Sequence, residues 1–451
     1  MTKDLTEGKP YQVILLMSLP IMIGNFFQQL YSVVDTMIVG KFIGSNALAA
    51  VGSTSSVSAL IMWFVCGLSG GYAILLAQHF GAGDTDILRK GVCASLSMSG
   101  VVTLLITFIS LIFLKRFLIL MNTPSEILED AYTYIFVIIA GMLATVLYNI
   151  CAAILRALGD SKTPLYFLII SSVLNIGLDI FFIRSLNMGV FGAALATVLS
   201  QAISGILCFA YMYSRFEIIR FKKADWKVDL KYDLKMLSFG LPAGLCGVFT
   251  ALGILILQYA INCYGTDIIA GYTAAIKVQN FAEIPLNAFS TTMLNFAGQN
   301  IGAGKYLNAK KGYRQGIAIG LLVSAVCGFF IIFFGDVFAS LFVDATEAPE
   351  VIRFASKYLI YTGALFMPYS ILLNTRSTLQ GMGDRISPVA TGIFETLIRI
   401  GFTIYLVHNL SELTLCLVNP IIWVCTALFL ITMYLLRWHK IYKENPSLKK
   451  K

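Results

Sequence analysis

The sequence predicts an all-α polytopic membrane protein. About twelve transmembrane helices form two parallel six-helix lobes, related by a pseudo-twofold axis along the membrane normal. Three observations predict this. Of the 451 residues, 58% are hydrophobic and only 13% are charged. Continuous apolar runs of about 20 residues recur along the whole length, each enough to cross a hydrocarbon core of about 30 Å. The chain also repeats itself. Leu155-Arg156-Ala157-Leu158-Gly159-Asp160, running on to Pro164, returns as Leu379-Gln380-Gly381-Met382-Gly383-Asp384 running on to Pro388, an offset of 388 − 164 = 224. Gln78 with Gly81-Ala82-Gly83 returns as Gln299 with Gly302-Ala303-Gly304, at 299 − 78 = 221. Ser18-Leu19-Pro20 is echoed by Phe239-Gly240-Leu241-Pro242, at 242 − 20 = 222.

Helices follow from the runs being continuous: backbone amides in lipid must be satisfied within their own segment, and a transmembrane barrel would show short alternating stretches. Met1 to Pro10 is polar and lacks a basic n-region, an apolar h-region and a cleavage site, so no removable signal is expected. Turn and charge punctuation then places spans at 11–39, 46–79, 88–114, 127–155, 164–183 and 190–213, and at 236–263, 268–299, 315–335, 351–375, 388–407 and 414–436. An N-lobe, 1–213, and a C-lobe, 236–436, are joined by an amphipathic linker, 214–235, and followed by a basic tail, 437–451. In the linker, Lys/Arg and Asp/Glu alternate with Phe221, Trp226 and Tyr232, a composition suited to a membrane interface.

Charge sets the orientation. The tails and alternate loops carry Lys3, Lys9, Arg89, Lys90, Arg156, Lys162, the linker cations, Lys305, Lys310, Lys311, Arg314, Arg376, Arg385 and the tail cations through Lys451. The opposite loops carry only Lys41, Lys115, Arg116 and Arg184. By the positive-inside rule both termini are cytoplasmic, in the cell's inner (plasma) membrane. The net charge of +9 reflects this asymmetry and argues for contact with anionic lipid headgroups rather than nucleic acid. The protein is read as a monomer.

Several chemistries are disfavoured. The nine cysteines lie singly in or near apolar runs, with no CxxC pair, and read as small packing residues. His79, His408 and His439 are scattered, so no metal centre and no cofactor are expected. No His-Glu-x-x-His or Gly-x-Ser-x-Gly cluster suggests an enzyme, and no Gly-x-x-x-x-Gly-Lys loop suggests an ATPase. A pump of this kind would draw on an ion gradient.

Ionisable groups inside spans are few. A charge at a helix centre costs about 2.5–3.5 kcal/mol on insertion scales, so a carboxylate there is a functional candidate. Asp35 lies in the first span and Asp179 in the fifth, with Asn175 four residues before Asp179 on the same helix face. Thr197, in the sixth, follows the small residues Gly192-Ala193-Ala194, which permit close helix approach. Two carboxylates, an amide and a hydroxyl in one bundle could hold a proton or a cation such as Na⁺. The alternative is that Asp35 and Asp179 end their helices facing outer water. Pro20 removes a backbone hydrogen bond well inside the first span and predicts a kink, either a hinge or a static bend. The second half holds Lys277, Glu283, Glu395 and Arg399; Glu395 and Arg399 are spaced to pair on one face. They either neutralise one another or contact substrate. Gln279, Asn280 and Asn287 suggest a polar cavity wall, and Tyr31 and Asn149 are assigned to the cavity of the first half. The Gly-Asp and Gln-x-x-Gly-Ala-Gly turns, all cytoplasmic in this topology, read as structural hinges rather than binding sites, glycine permitting the tight geometry.

These motifs resemble the multidrug and toxic-compound extrusion family, over essentially the whole chain. The resemblance implies two six-helix lobes around a central cavity open to alternating sides, exporting organic cations and other drugs in exchange for H⁺ or Na⁺. Similarity to the bacterial and archaeal DinF-like branch implies a cation site at Asp35, Asn175, Asp179 and Thr197, with Pro20 as the bend and Gln28 in the cavity wall. The NorM-like branch adds acids in the seventh and tenth spans, where this chain has Thr250 and Pro368, which favours coupling through the N-lobe. The alternative within the wider superfamily is a lipid-linked oligosaccharide flippase, which would want a more cationic cavity.

Overall fold

The computed structural model describes residues 4–121, 123–340 and 349–449, and among them the regular structure is helical. Lys3, Lys450 and Lys451, counted above for orientation, lie outside the described residues. The first half runs through α1 (Pro10–Phe42), α2 (Ser45–Gly81), α3 (Thr85–Leu120), α4 (Ser125–Ala140), α5 (Met142–Ala157), α6 (Lys162–Ile180) and α7 (Gly189–Arg215). The second runs through α8 (Leu230–Ile261), α9 (Thr266–Gly302), α10 (Tyr306–Ala339), α11 (Pro349–Ala364), α12 (Phe366–Gly381), α13 (Ile386–Asn409) and α14 (Glu412–Glu444).

Twelve spans result once two broken helices are recognised. The expected span 127–155 is α4 and α5, bent by 46° about Gly141. A Cβ on Gly141 would sit 2.3 Å from a Val198 methyl, so α7 packs tightly against the break. The expected span 351–375 is α11 and α12, interrupted at Leu365. Nine described helices are long and apolar enough to cross a membrane, ten with the α4–α5 pair. The remaining two spans are α9 and α11–α12, which are more polar: α9 buries Gln279, Thr292, Asn295, Gln299 and Asn300.

The repeat extends to single hydrogen bonds. Gly159 and Gly383 take φ +82° and +83°, left-handed conformations that glycine enters without a Cβ penalty. Asp160 Oδ1 then accepts from the amides of Lys162 and Thr163, both at 3.0 Å, and Oδ2 from the Thr163 hydroxyl at 2.6 Å. Asp384 does the same with the amides of Ile386 and Ser387 and the Ser387 hydroxyl, at 2.9, 3.2 and 2.6 Å. Each aspartate caps the helix after its turn. Asp160→Ala and Asp384→Ala are each expected to cost about 0.5–2 kcal/mol, with the more buried Asp160 costing more. Thermal unfolding in detergent measures this, and equal stability of both variants with the parent would remove the capping role.

The described chain groups into two compact units. One is Ile23–Gly244; the other is Asp4–Met22 with the chain from Leu245 onward. In the first unit α2 and α8 approach through glycines spaced four apart, one face of each helix. A Cβ on Gly67 would lie 2.5 Å from the Ala243 carbonyl oxygen, and one on Gly71 2.4 Å from that of Phe239. Gly240 and Gly244 face Tyr72 and Phe64 in return. In the second unit the first half of α1 meets α9 through side chains instead, with Met17 and Ile21 packed among Phe289, Met293 and Phe296.

Candidate functional site: a buried carboxyl pair

The packing of α1, α6 and α7 in the first unit fixes the site. Ile38 and Val39 of α1 share a buried cluster with Ile183, just after α6, and with Val190 and Ala193 of α7. One helical turn from these contacts stand Asp35, Asp179 and Thr197, so the residues that pack the helices also bring the polar groups together. Asp179 and Asn175 are fully buried, at 0% and 1% exposure; Asp35, Tyr31 and Thr197 are half-buried.

The Asn175 amide, oriented to satisfy both its atoms, donates to Asp179 Oδ2 at 2.7 Å and accepts from the Thr197 amide at 3.1 Å. The Thr197 hydroxyl donates to the Ala193 carbonyl at 3.1 Å and is also hydrogen-bonded to Tyr31. The carboxyl groups of Asp35 and Asp179 lie within hydrogen-bonding reach of each other. Oδ1 of each is nonetheless buried with no protein donor. A hydrogen bond between two carboxyl oxygens requires a proton on one of them; without it the pair needs a cation to offset two neighbouring charges taken out of water. Tyr134 of α4 packs against the same buried cluster, near both acids and Tyr31, and sequence spacing gave no signal for it.

The other expected residues fall elsewhere. In the first unit Asn149, on α5, donates to the Thr145 carbonyl at 2.9 Å and lies 3.7 Å from Cys66 Sγ, while Gln28 is exposed on α1. Pro20 is buried in the second unit with the first half of α1. There Glu395 pairs with Arg399 at 3.6 Å, as the spacing predicts, and also with Arg376 at 3.8 Å, and it accepts from the Thr250 hydroxyl at 3.3 Å. The charge count puts Arg376 in a cytoplasmic loop; it lies inside α12, because the helix continues to Gly381. Arg156 likewise belongs to the last turn of α5. Glu283 accepts from Gln279 at 2.7 Å and from the Tyr369 hydroxyl at 2.9 Å. The chain continues through Tyr358, which donates to Gln279 at 3.1 Å, and Asn419, which donates to Tyr358 at 2.9 Å. Arg376, Tyr369, Tyr358 and Asn419 were missed by sequence; Tyr369 and Arg376 are seven residues apart on one helix face, a signal that was available. Lys277, Asn280 and Asn287 are exposed on α9.

Duplicated halves of six spans, with a carboxyl pair enclosed by the first, define a polytopic α-helical membrane protein of the transporter class. The sequence model of the MatE family matches residues 20–181 and again 242–405, at the spacing of the internal repeat, and the chain belongs to that family. It is 30% identical over 377 residues to the probable multidrug resistance protein YpnP of Bacillus subtilis, covering 81% of each chain. It is 24% identical over 457 residues to the multidrug export protein MepA of Staphylococcus haemolyticus, covering 98% of this chain and 97% of the relative. A solved outward-facing multidrug resistance MATE family transporter superposes with a TM-score of 0.90 at 26% identity, over 96% of this chain and 97% of that one.

Proposed function

We propose that the protein exports small organic, mainly cationic, molecules across the plasma membrane in exchange for an inward-moving H⁺ or Na⁺. The observation that carries the coupling is the contact of Asp35 with Asp179 in a pocket that offers their Oδ1 atoms no donor. A proton or Na⁺ taken up there offsets the cost of the paired charges, and its release restores that cost. Asn175 and Thr197 hold the two acids in place, and Pro20 is the hinge about which α1 moves. Gln28, Tyr31 and Asn149 are assigned to the substrate cavity of the first half. Lys277, Asn280, Glu283, Asn287, Glu395 and Arg399 are assigned to that of the second. The halves 1–213 and 236–436 act as lobes in alternating access, with both termini cytoplasmic, and the exporter works as a monomer. The multidrug names of the YpnP and MepA relatives support the substrate class.

Ethidium efflux from proteoliposomes, with pH and Na⁺ gradients imposed separately, tests this. Efflux driven by either gradient is expected. Efflux indifferent to both would reject ion coupling, and an absence of any dye movement would reject the substrate class.

A further inference from the structure

The segment ahead of α1 is held with unusual care. Leu5 is buried within the second unit, clustered with Met17, Phe289, Met293 and Phe296. Its amide donates to Gln299 Oε1 at 2.8 Å, and its carbonyl accepts from Asn300 Nδ2 at 3.2 Å. Lys305 Nζ reaches the Thr6 carbonyl at 3.2 Å and the Thr6 hydroxyl at 2.8 Å. Asn308 orients Asn300 through a 2.6 Å bond to its Oδ1. Gly8 then turns the chain at φ +86°, and the Tyr11 amide opens α1 against Gln315 of α10 at 3.0 Å. Gln299 and Asn300 are fully buried with the segment in place, so both bonds are made out of contact with water. Gln299 to Gly304 is the repeated glycine turn, read from sequence as a structural hinge and not a binding site.

We infer that residues 4–9 are an anchor, gripped by Gln299, Asn300 and Lys305, that pins the first half of α1 so that ion uptake at Asp35 displaces only the half beyond Pro20. α1 is one continuous helix, yet its residues through Met22 belong with α9 and α10, and those from Ile23 belong with α6 and α7. A helix free at its first end would answer a change at Asp35 by shifting as a rigid rod, and the proline hinge would carry nothing. Pinned, it must bend where the backbone hydrogen bond is missing. The first unit has a matching piece. There the linker lies along α3, with Asp225 3.5 Å from Arg89, and leads into α8, which carries Pro242 at the repeat position of Pro20.

The transport arm of the test rests on the ion-coupled export proposed above; the exchange arm does not. In the full-length protein, Gln299→Leu with Asn300→Leu is expected to speed amide exchange at Leu5 and Thr6 at least about tenfold, each lost bond being worth a factor of about five. Gradient-driven ethidium efflux should fall at least about fivefold, on the scale of one such bond, while ethidium affinity stays unchanged, a split that loss of folding would not give. Lys305→Met, on an exposed side chain, should move both readouts the same way and carries the test if the double variant fails to fold. A wild-type segment that exchanges like an unstructured peptide overturns the inference, as does a freed segment with undiminished efflux. Wild-type protein that moves no ethidium faults the exporter reading, and exchange alone then decides the anchor.

Discussion

Asp35→Asn is expected to abolish gradient-driven export while leaving the protein folded. Asparagine keeps the shape of the side chain and can donate to Asp179, so it resembles the protonated acid. What it cannot do is change charge between the two halves of a cycle. A potential of 100 mV supplies about 2.3 kcal/mol per charge moved, and a carrier that no longer couples one charge forfeits about fifty-fold accumulation. Asp179→Asn should act in the same direction and cost more stability, because Asp179 Oδ2 also receives the Asn175 amide at 2.7 Å. The measurement is dye accumulation in inverted vesicles energised first by a pH gradient and then by a Na⁺ gradient, with thermal unfolding as the control for folding. Full accumulation by a folded Asp35→Asn protein would end the assignment of the site.

Gly71→Ala should damage folding out of proportion to the single methyl added. That methyl would lie 2.4 Å from the Phe239 carbonyl oxygen and 2.6 Å from Gly240 Cα. Both are backbone atoms, which cannot rotate aside as a side chain would, so α2 and α8 must separate. Overpacking of this sort costs about 1–3 kcal/mol and sometimes more, and a larger residue such as valine should prevent accumulation of folded protein. The neighbouring Gly70 is the control. Nothing lies within 4 Å of a Cβ placed there, and alanine in a helix interior is favoured over glycine by about 1 kcal/mol. Gly70→Ala is therefore expected to be neutral or stabilising. Thermal unfolding in detergent compares the two; equal stability would mean that the helices do not meet as closely as the geometry requires.

Composition and the repeat were enough to indicate the helical membrane fold, because lipid leaves few alternatives for backbone polar groups. The breaks at Gly141 and Leu365 were not legible, since no proline stands at either position and the residue that crowds Gly141, Val198, is on another helix. Within the site, the carboxyl and amide positions could be singled out because ionisable groups in lipid are costly enough to be rare. Tyr134 could not: a tyrosine in an apolar run is ordinary, and only tertiary packing brings it near Asp35. Arg376 was misplaced for a related reason. A cation near a span end looks the same in sequence whether it faces water or turns back to a buried Glu395. Gln299 was noticed for its repetition, but its partner is the backbone of Leu5, and main-chain groups carry no sequence signature.

The sharing of α1 and α8 has a practical consequence for anyone who would cut the gene in two. The polar stretch around Arg220 looks like the natural place for a break, and co-expressing the pieces looks like a route to studying each alone. Yet a fragment ending there keeps Asp4–Met22 without the helices it packs on, and lacks the start of α8 that lies against Gly67 and Gly71. Its companion has the converse deficit. Bisection at that point would yield two orphans, each missing a piece the other carries, and mixtures of the two should be recovered far better than either one by itself.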